Sequence, residues 1–436
     1  MVDAPSYAIV KDSGIDWIGY IPENWNIRTL YQLVTQVKNK NDELQENNLL
    51  SLSYGKIKRK DIDSPEGLLP ASFDGYNLIE SGDIVLRLTD LQNDHTSLRV
   101  ALSTERGIIT SAYTTLRPIS TRHSKYIYYL LHAFDLRKGF YGMGSGVRQG
   151  LNYDEVKELR VVLPSDNDQE AISTYLDDKC GQIDPIIEEA KYCIEEYKVW
   201  RATIIYEAIT KGLDTSVEMK DSGIDWIGPI PSHWGTCAIK NITTKIGSGK
   251  TPNGGAEVYT DEGVLFLRSQ NVYDTGLKLD NVSHISEEID NEMKNTRVEY
   301  LDVLLNITGG SIGRCCLYEL KETRANVNQH VCILRADKNK LSPSFLRYFW
   351  SSTCGPIVVA QYQTGGNRAG LNFEQIGKVK IPYCDLPMQE KIVSYLDKKT
   401  SAIDELITEK QALINDLESY KRSLIYETVT GKRKVV

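Results

Sequence analysis

The stretch KDSGIDWIGYIPENW, residues 11–25, returns almost unchanged as KDSGIDWIGPIPSHW at residues 220–234. Two later segments also recur. GLNYDEVKELRVVLP (150–164) matches GLNFEQIGKVKIPYC (370–384), and YLDDKCGQID (175–184) matches YLDKKTSAID (395–404). The offset is 209 residues at the first match and 220 at the others. A repeat of this length predicts that the chain contains two copies of one structural unit.

Between the matched segments the two copies agree only in outline. SGDIVLRLTD (81–90) corresponds to YLDVLLNITG (300–309), and both middles alternate short β-like runs with Gly, Asn and Asp turns. This pattern predicts an α+β fold with two globular α/β-type domains. We interpret the matched segments as a common framework and the middles as two different recognition surfaces.

The last part of each copy predicts a long helix. Apolar residues recur there at alternating steps of four and three, which is the pattern of a coiled-coil seam. The predicted seam of the first helix is Ile172, Leu176, Lys179, Ile183, Ile186, Ala190, Cys193, Tyr197, Trp200 and Ile204, and that of the second is Ile392, Leu396, Lys399, Ile403, Leu406, Lys410, Leu413, Leu417, Tyr420 and Leu424.

Only about eight residues lead from the first helix to the second copy. The end of the first helix and the start of the second are neighbours only in an antiparallel pair, so we expect the helices to pair antiparallel. This arrangement relates the two copies by a pseudo-two-fold axis and separates the domains. The predicted divisions are a first recognition domain (1–165), a first helix (166–212), a second recognition domain (213–386) and a second helix (387–436).

Composition is that of a water-soluble globular protein. Of 436 residues, 41% are hydrophobic and 25% charged, and the net charge is −8. Because the acidic excess is concentrated in the predicted helices, the rest of the chain is near neutral and leaves room for a basic face. No apolar run is long enough to span a membrane and no signal peptide is recognisable, so we expect a cytoplasmic protein. The eight cysteines form no C-x-x-C pair, which predicts no metal site.

The stretch KIGSGKTPNGG (245–255) resembles the end of a nucleotide-binding phosphate loop. That loop requires a first glycine, where this chain has Thr244, and a helix that begins at the lysine. Pro252 and the glycines after it predict a turn instead. We therefore expect no ATP site at this loop.

Since no nucleophile triad or metalloprotease motif is recognisable either, we expect a binding protein without catalytic residues.

Binding candidates lie in polar loops. A glycine-rich segment with an arginine precedes each long helix, GMGSGVRQGLN (142–152) and TGGNRAGLN (364–372), and each runs into a predicted capping box. Side chains of Arg, Lys, Asn and Gln contact phosphates and read base edges; ordinary turns and solvated surface are the alternatives. The candidate DNA-binding residues are Lys56, Lys58, Arg59, Lys60, Arg87, Arg148, Gln149, Lys250, Thr251, Arg268, Gln270, Asn271, Arg314, Asn367 and Arg368.

The order of two variable domains and two repeated helices resembles the specificity subunit of type I restriction-modification enzymes. The motifs that carry the resemblance are DSGIDWIGxIPxxW, LRLTDLQND (86–94), GIITSAY (107–113), GSGVRQGLN, LRSQNV (267–272), NVNQHVCILR (326–335) and the helix starts DNDQEAI and DLPMQEKI. The resemblance covers nearly the whole chain. It implies that each domain reads one half of a split site in double-stranded DNA.

The resemblance also implies partner proteins. The helices would dock two methyltransferase subunits, and restriction subunits would join through them. Candidate docking residues are Ile172, Leu176, Ile183, Ile392, Leu396 and Ile403. S-adenosylmethionine, ATP and Mg²⁺ are implied as cofactors of the partner subunits, with none in this chain. The alternative is a non-enzymatic coiled-coil scaffold with two protein-binding heads, which would not bind duplex DNA in a salt-dependent manner.

Overall fold

The computed structural model describes residues 7–42, 46–62, 72–91, 94, 96–143, 150–363 and 370–435. The chain forms two compact units. Unit 1 comprises Met1–Lys191 and Ala412–Val436, and unit 2 comprises Tyr192–Gln411. Each of two long helices contributes one segment to unit 1 and another to unit 2.

Unit 1 is built on short strands and one buried helix. Its strands are β1 (Val10–Asp12), β2 (Tyr20–Pro22), β3 (Asn26–Thr29), β4 (Val34–Gln36), β5 (Leu50–Ser53), β6 (Lys56–Arg59), β7 (Asn77–Ile79), β8 (Ile84–Leu86), β9 (Val100–Leu102), β10 (Gly107–Ile109), β11 (Thr114–Pro118) and β12 (Arg160–Leu163). Its helices are α1 (Ser124–Leu136), α2 (Tyr153–Val156) and the first segment of α3 (Asp166–Lys211).

Unit 2 has the same kind of content. Its strands are β13 (Met219–Asp221), β14 (Pro229–Pro231), β15 (Gly235–Ala238), β16 (Thr243–Ser248), β17 (Val264–Leu267), β18 (Val272–Tyr273), β19 (Gly276–Leu277), β20 (Ser283–Ile285), β21 (Val303–Asn306), β22 (Cys315–Leu317), β23 (Ala325–Val327), β24 (Val331–Ala336) and β25 (Lys380–Tyr383). Its helices are α4 (Glu287–Glu292), α5 (Pro343–Ser351), α6 (Cys354–Tyr362), α7 (Phe373–Lys378) and most of α8 (Leu386–Val429).

The internal repeat reappears as strand topology. The antiparallel sheet β4-β11-β8-β9 of unit 1 has the same order as β16-β24-β21-β22 of unit 2. The hairpin β1–β2 corresponds to β13–β14, and the pair β3–β12 corresponds to β15–β25. The units differ beside these sheets. Unit 2 has a sheet β20-β17-β23 with one parallel pair, whereas unit 1 has the hairpin β5–β6 and the pair β7–β10. The predicted mixture of helix and strand is confirmed.

The paired tryptophan motifs supply packing anchors. Trp25 and Trp234 are buried in the cores of their units. The Trp17 ring lies 5.1 Å from Phe134, and the Trp226 ring nitrogen donates a hydrogen bond to the Lys380 carbonyl at 3.1 Å. These contacts join the repeated segment to the middle of unit 1 and to β25 of unit 2, so the repeated segment stabilises both units.

The predicted seam consists of two columns, each with one residue every seven positions along the helix. The buried face of the long helices matches the first column and differs from most of the second. Leu176, Ile183 and Ala190 are buried as predicted, and so are Leu396, Ile403 and Leu424. The second buried column lies one residue later than predicted, at Cys180, Ile187 and Ile194 in α3 and at Thr400 and Ile414 in α8. In the predicted second column, Ile172 and Ile392 at the helix starts are buried, whereas Ile186, Trp200, Leu406, Leu413 and Tyr420 are 37–49% exposed.

Within each unit the local segments of α3 and α8 are joined by an ion pair. Asp184 pairs with Lys421 in unit 1. In unit 2, Arg201 donates to both carboxylate oxygens of Asp404, at 2.9 and 3.3 Å. The 220-residue offset relates Asp184 to Asp404 and Arg201 to Lys421. The repeat therefore conserves the ion pair, but the cation lies on α8 in unit 1 and on α3 in unit 2.

No helix in the described part of the chain has the length and apolar character needed to cross a membrane.

Candidate nucleic-acid interface

Polar loops of unit 2 come together where four strands end. β16, β17, β21 and β23 each lead into such a loop. The Asn306 amide donates to the Ser269 carbonyl at 2.9 Å, and the Asn328 N–H donates to the Leu267 carbonyl at 3.0 Å. The Thr308 hydroxyl lies 2.6 Å from Nδ1 of His330. We call residues 249–251, 268–271, 306–314 and 328–330 the polar loop cluster.

The Gly-Lys-Thr stretch belongs to this cluster and is no phosphate loop. β16 runs through Ser248, and in the fully described segment 243–292 the first α-helix begins only at Glu287. A Cβ on Gly249 would lie 1.5 Å from the Val327 carbonyl oxygen, so glycine is required there by packing against β23. The Thr251 hydroxyl donates to the Gln329 side chain. Lys250 is exposed, with Nζ 3.4 Å from the Glu292 carbonyl.

Aromatic rings pack against two arginines of the cluster and against Lys278 beside it. The Arg268 guanidinium lies 5.5 Å from the Tyr259 ring, and Arg314 lies 4.4 Å from the Tyr273 ring, which Lys278 approaches at 4.2 Å. Among the described residues no carboxylate forms an ion pair with Lys250, Arg268, Lys278 or Arg314. The cationic side chains at the cluster are therefore available to an anionic partner.

Arginines of unit 2 outside the cluster are paired. Arg297 pairs with Asp290 at 2.5 Å, and Arg335 pairs with Asp302 at 2.8 Å. The hydrogen bonds that Arg335 donates to Asp302 raise the pKa of Arg335, and those that Arg297 donates to Asp290 raise the pKa of Arg297. Among the described arginines of unit 2, those without a carboxylate partner thus lie at the strand ends, which suits a phosphate backbone.

One predicted contact residue is buried. Asn271 is 1% exposed. Its side-chain nitrogen donates to the Lys278 carbonyl at 2.9 Å, and its oxygen accepts from the Arg268 N–H at 2.9 Å. Because both ends of the amide bind the chain itself, Asn271 shapes the turn and does not face a ligand. This corrects the sequence-based assignment.

Two further residues of the cluster were missed. Gln329 is exposed and His330 is partly exposed, and they contact each other through Nε2 atoms 3.0 Å apart. Gln270, which was predicted, is also exposed. The available signal for Gln329 and His330 was a polar run, Asn-Gln-His, between the apolar residues of β23 and β24. Exposed amides beside free cations are the side chains expected where base edges are read.

In unit 1 the predicted basic residues lie on β6 and after β8. Lys56, Lys58 and Lys60 are exposed and form no ion pair with any described carboxylate, whereas Arg59 pairs with Glu105 at 2.5 Å. Arg87 lies 3.7 Å from Asp94. Hydrogen bonds from Ser97 lower the pKa of the Asp94 carboxyl, so that carboxyl is charged and partly neutralises Arg87.

The glycine-rich segments leave four predicted residues unplaced: Arg148, Gln149, Asn367 and Arg368 lie outside the described residues. The residues that follow are anchored in equivalent ways. The Leu151 N–H donates to the Leu88 carbonyl at 2.9 Å, and the Leu371 N–H donates to the Ile307 carbonyl at 2.9 Å. Both acceptors come just after the equivalent strands β8 and β21, so each segment ends beside a strand-end loop.

The predicted capping boxes are present. Asn152 and Glu155 cap α2 reciprocally, and Asn372 and Gln375 cap α7 in the same way. These interactions link residues three apart, which is why the sequence was sufficient to predict them.

The six candidate docking residues lie in the interior of the chain. Ile172, Leu176, Ile183, Ile392, Leu396 and Ile403 are each at most 7% exposed. Their side chains pack against the chain's own core and offer almost no area to another subunit. Other apolar residues of the helices are exposed instead, and we call them the exposed apolar column: Ile186 and Trp200 in α3 and Leu406, Leu413 and Tyr420 in α8.

Comparison with known proteins connects this architecture to one class. Residues 231–416 match the family of the type I restriction modification DNA specificity domain. The chain is similar, at 24% identity over 96% of both chains, to the protein of Methanocaldococcus jannaschii named "Putative type I restriction enzyme MjaX specificity subunit". It is 23% identical to the type I restriction enzyme EcoBI specificity subunit of Escherichia coli, over 64% of this chain and 59% of that one.

The fold is also similar to a solved structure. A chain from a study of complex assembly and conformational transition of the type I R-M system matches with a TM-score of 0.65, at 13% identity, over 95% of this chain and 99% of that one. Residues 231–416 thus match the type I specificity domain family, and the whole chain is similar to specificity subunits of type I restriction enzymes. The scaffold alternative is not favoured.

Proposed function

We propose that the chain reads a bipartite site in duplex DNA, with the strand-end loops of each unit contacting one half of the site. One observation carries the proposal. The cations of the polar loop cluster pair with aromatic rings and backbone carbonyls, while arginines elsewhere in unit 2 pair with carboxylates. Unpaired cations suit phosphates, and the exposed amides beside them, Gln270 and Gln329, suit base edges.

Different half-sites follow from the differences between the units. The framework strands repeat, yet Lys250 has no counterpart in the first copy, and the basic hairpin β5–β6 has none in the second. Two recognition surfaces with different side chains on one repeated framework favour two different half-sequences.

The second part of the proposal is that the long helices pair antiparallel and dock two methyltransferase subunits, through which restriction subunits join. The ion pairs Asp184–Lys421 and Arg201–Asp404 support antiparallel pairing, because the residue number on α8 falls as that on α3 rises. The exposed apolar column supports docking. Ile186 and Trp200 in α3 recur at the 220-residue offset as Leu406 and Tyr420 in α8.

We further propose that the chain itself catalyses no reaction and holds no cofactor. In this arrangement S-adenosylmethionine, ATP and Mg²⁺ act in the partner subunits. Support comes from the sequence, where no nucleophile triad is recognisable. The loop that resembles a phosphate site also lacks the strand–loop–helix context that nucleotide binding needs.

The DNA proposal is tested on the chain assembled with its methyltransferase subunits. Gln270→Ala and Gln329→Ala are expected to relax base preference in one half-site, and to leave the other half-site unchanged, when methylated positions are sequenced. Lys338→Ala is the matched control, because Lys338 is exposed in the same unit after the opposite end of β24. Unchanged preference in both glutamine variants would remove the polar loop cluster from the interface.

The two arginines of the glycine-rich segments have a separate test. Ala at Arg148 or Arg368 is expected to cost about 1–3 kcal/mol of binding free energy at one half-site if the arginine contacts a base. If it contacts phosphate, affinity should fall uniformly over sequences and the salt slope should decrease. Unchanged affinity and salt slope in both variants would mean that the segments are only turns into α2 and α7.

Docking is tested by charge insertion on the exposed column. Trp200→Asp and Tyr420→Asp are expected to prevent co-purification of the methyltransferase subunits, while Glu196→Ala, at an exposed polar position of the same helix, leaves assembly intact. Normal assembly of both aspartate variants would place the docking surface elsewhere.

A further inference from the structure

Unit 1 contains a cavity that lies beside the basic hairpin β5–β6. It has a volume of about 620 Å³ and is lined by β5 and β6, the C-terminal end of α1 and the unit 1 segments of α3 and α8. This volume lies in the range of sites that hold small molecules.

The lining carries an excess of positive charge. Three carboxylates line the cavity, at Asp184, Glu188 and Glu418, and six cationic side chains do so, at Lys56, Lys58, Lys138, Lys191, Lys421 and Arg422. Asp184 pairs with Lys421, and Glu188 lies 3.2 Å from Lys191. No carboxylate of the described chain forms an ion pair with Lys56, Lys58 or Arg422. Since Lys56 and Lys58 are two residues apart on β6, their side chains share one face of the strand.

A buried histidine with an unused polar atom completes the lining. His132 is 7% exposed, and its ring stacks on Tyr128 with centroids 5.5 Å apart. Its Nδ1 is buried and has no hydrogen-bond partner among the described residues. Burial lowers the pKa of His132 to about 4, so the ring is neutral at pH 7. A buried polar atom without a partner costs free energy, which a bound ligand atom would recover.

We propose that this cavity binds a small phosphate-bearing anion. Lysine ammonium groups bind phosphate as point charges, and a cleft lined by one sign of charge concentrates the opposite ion. Lys56, Lys58 and Arg422 supply the unpaired charge, and His132 supplies a hydrogen bond from inside the cavity. The cavity shares Lys56 and Lys58 with the basic hairpin β5–β6 of the proposed DNA surface, so the test includes a duplex-DNA arm that distinguishes the two ligands.

The equivalent cavity of unit 2 has the opposite charge. It contains the repeat-related pair Arg201–Asp404 and is lined by two arginines, Arg201 and Arg347, against six carboxylates, Asp274, Glu319, Asp397, Asp404, Glu405 and Glu409. The repeated framework therefore does not require a basic lining at this place. The basic character belongs to unit 1 alone, as expected if it serves a ligand specific to that unit.

The test is calorimetric titration of the full chain with inorganic pyrophosphate and, in a second arm, ATP. We expect both to bind, and Lys58→Ala and Arg422→Ala each to weaken binding about tenfold, the effect of one charge-assisted hydrogen bond. Lys38→Ala is the control, an exposed unit 1 lysine outside the cavity. Equal affinities for pyrophosphate and ATP identify the phosphates alone as the ligand, and tighter ATP binding identifies a nucleotide.

His132→Gln tests the buried donor, and its result is interpreted only if the unfolding transition of the variant matches that of the wild type. If His132→Gln does not fold, the exposed variants Lys58→Ala and Arg422→Ala still test the proposal. Absence of binding to the wild-type chain, or equal loss in the Lys38 control, overturns the proposal. So does a result in which Lys58→Ala lowers duplex-DNA affinity while pyrophosphate neither binds nor competes, which would assign these lysines to the DNA surface.

Discussion

Gly249 shows how one residue can resemble a functional motif for a structural reason. Glycine in a Gly-Lys-Thr sequence suggests close approach to phosphate, but here the close approach is to the Val327 carbonyl of β23. The same absence of a side chain allows either kind of contact, so the three-letter motif alone does not separate a nucleotide site from a packed loop.

Gly249→Ala is expected to destabilise the protein by about 1–3 kcal/mol or more, because the added methyl group collides with backbone. Gly247→Ala is the control, since an added Cβ there meets nothing within 4 Å. Urea unfolding of the two variants measures the difference. Equal midpoints would contradict the packing explanation.

Lys250→Ala is expected to weaken binding to duplex DNA. A phosphate contact would lower affinity uniformly and reduce the salt slope by about one, and a base contact would relax one half-site. Filter binding at several salt concentrations on matched and mismatched sites distinguishes the two. An ATP affinity that this substitution abolished would show instead that the loop is a nucleotide site.

At the scale of the secondary-structure elements, the long helices show what periodicity determines and what it leaves open. Adjacent apolar residues, such as Ile186 and Ile187, satisfy a four-three pattern in either phase. Packing buries Ile187 (5% exposed) and leaves Ile186 at the surface (45% exposed). The apolar residues of the second phase then form the exposed column proposed to dock partner subunits.

Ile187→Ala is expected to cost about 2–5 kcal/mol of unfolding free energy, whereas Ile186→Ala should stay within about 0.5 kcal/mol. The two changes remove the same atoms from adjacent positions, so chemical denaturation of the pair tests the phase of the buried face directly. A larger loss at Ile186 would restore the seam predicted from the sequence.

For the whole molecule, the repeated framework predicts that the variable middles are exchangeable. Replacing residues 26–141 or residues 235–363 by the corresponding segment of a relative should change only one half of the recognised sequence. Sequencing of methylated sites in cells that carry the exchanged chain measures this. Simultaneous change of both halves would show that the two units do not read DNA independently.

The helices are expected to set the gap between the half-sites. Removing seven residues from each helix preserves the heptad phase and shortens each by about 10 Å, or roughly three base-pair rises. The preferred gap should shrink or binding should fail, with both half-sequences unchanged. Methylation at the original gap by the shortened chain would mean that another part of the molecule measures it.

The sequence by itself determined the repeat, both long helices, the mixed content of the units and the capping boxes of α2 and α7. These features depend on identity at a fixed offset, on periodicity, or on contacts between residues three apart, and all of these can be recognised in the sequence without knowing which distant residues pack together. The resemblance to specificity subunits was likewise recognised from motifs in the sequence, and the comparisons confirmed it.

Tertiary structure alone decided which candidates share a surface. Ser269 and Asn306 are far apart in sequence and meet through a hydrogen bond between the loops that follow β17 and β21, and Thr251 meets Gln329 in the same way after β16 and β23. The burial of Asn271, the phase of the helix seam and the opposite charges of the two cavities were likewise decided by packing. Each depends on which side chain the neighbouring elements cover, and residues distant in sequence supply that cover.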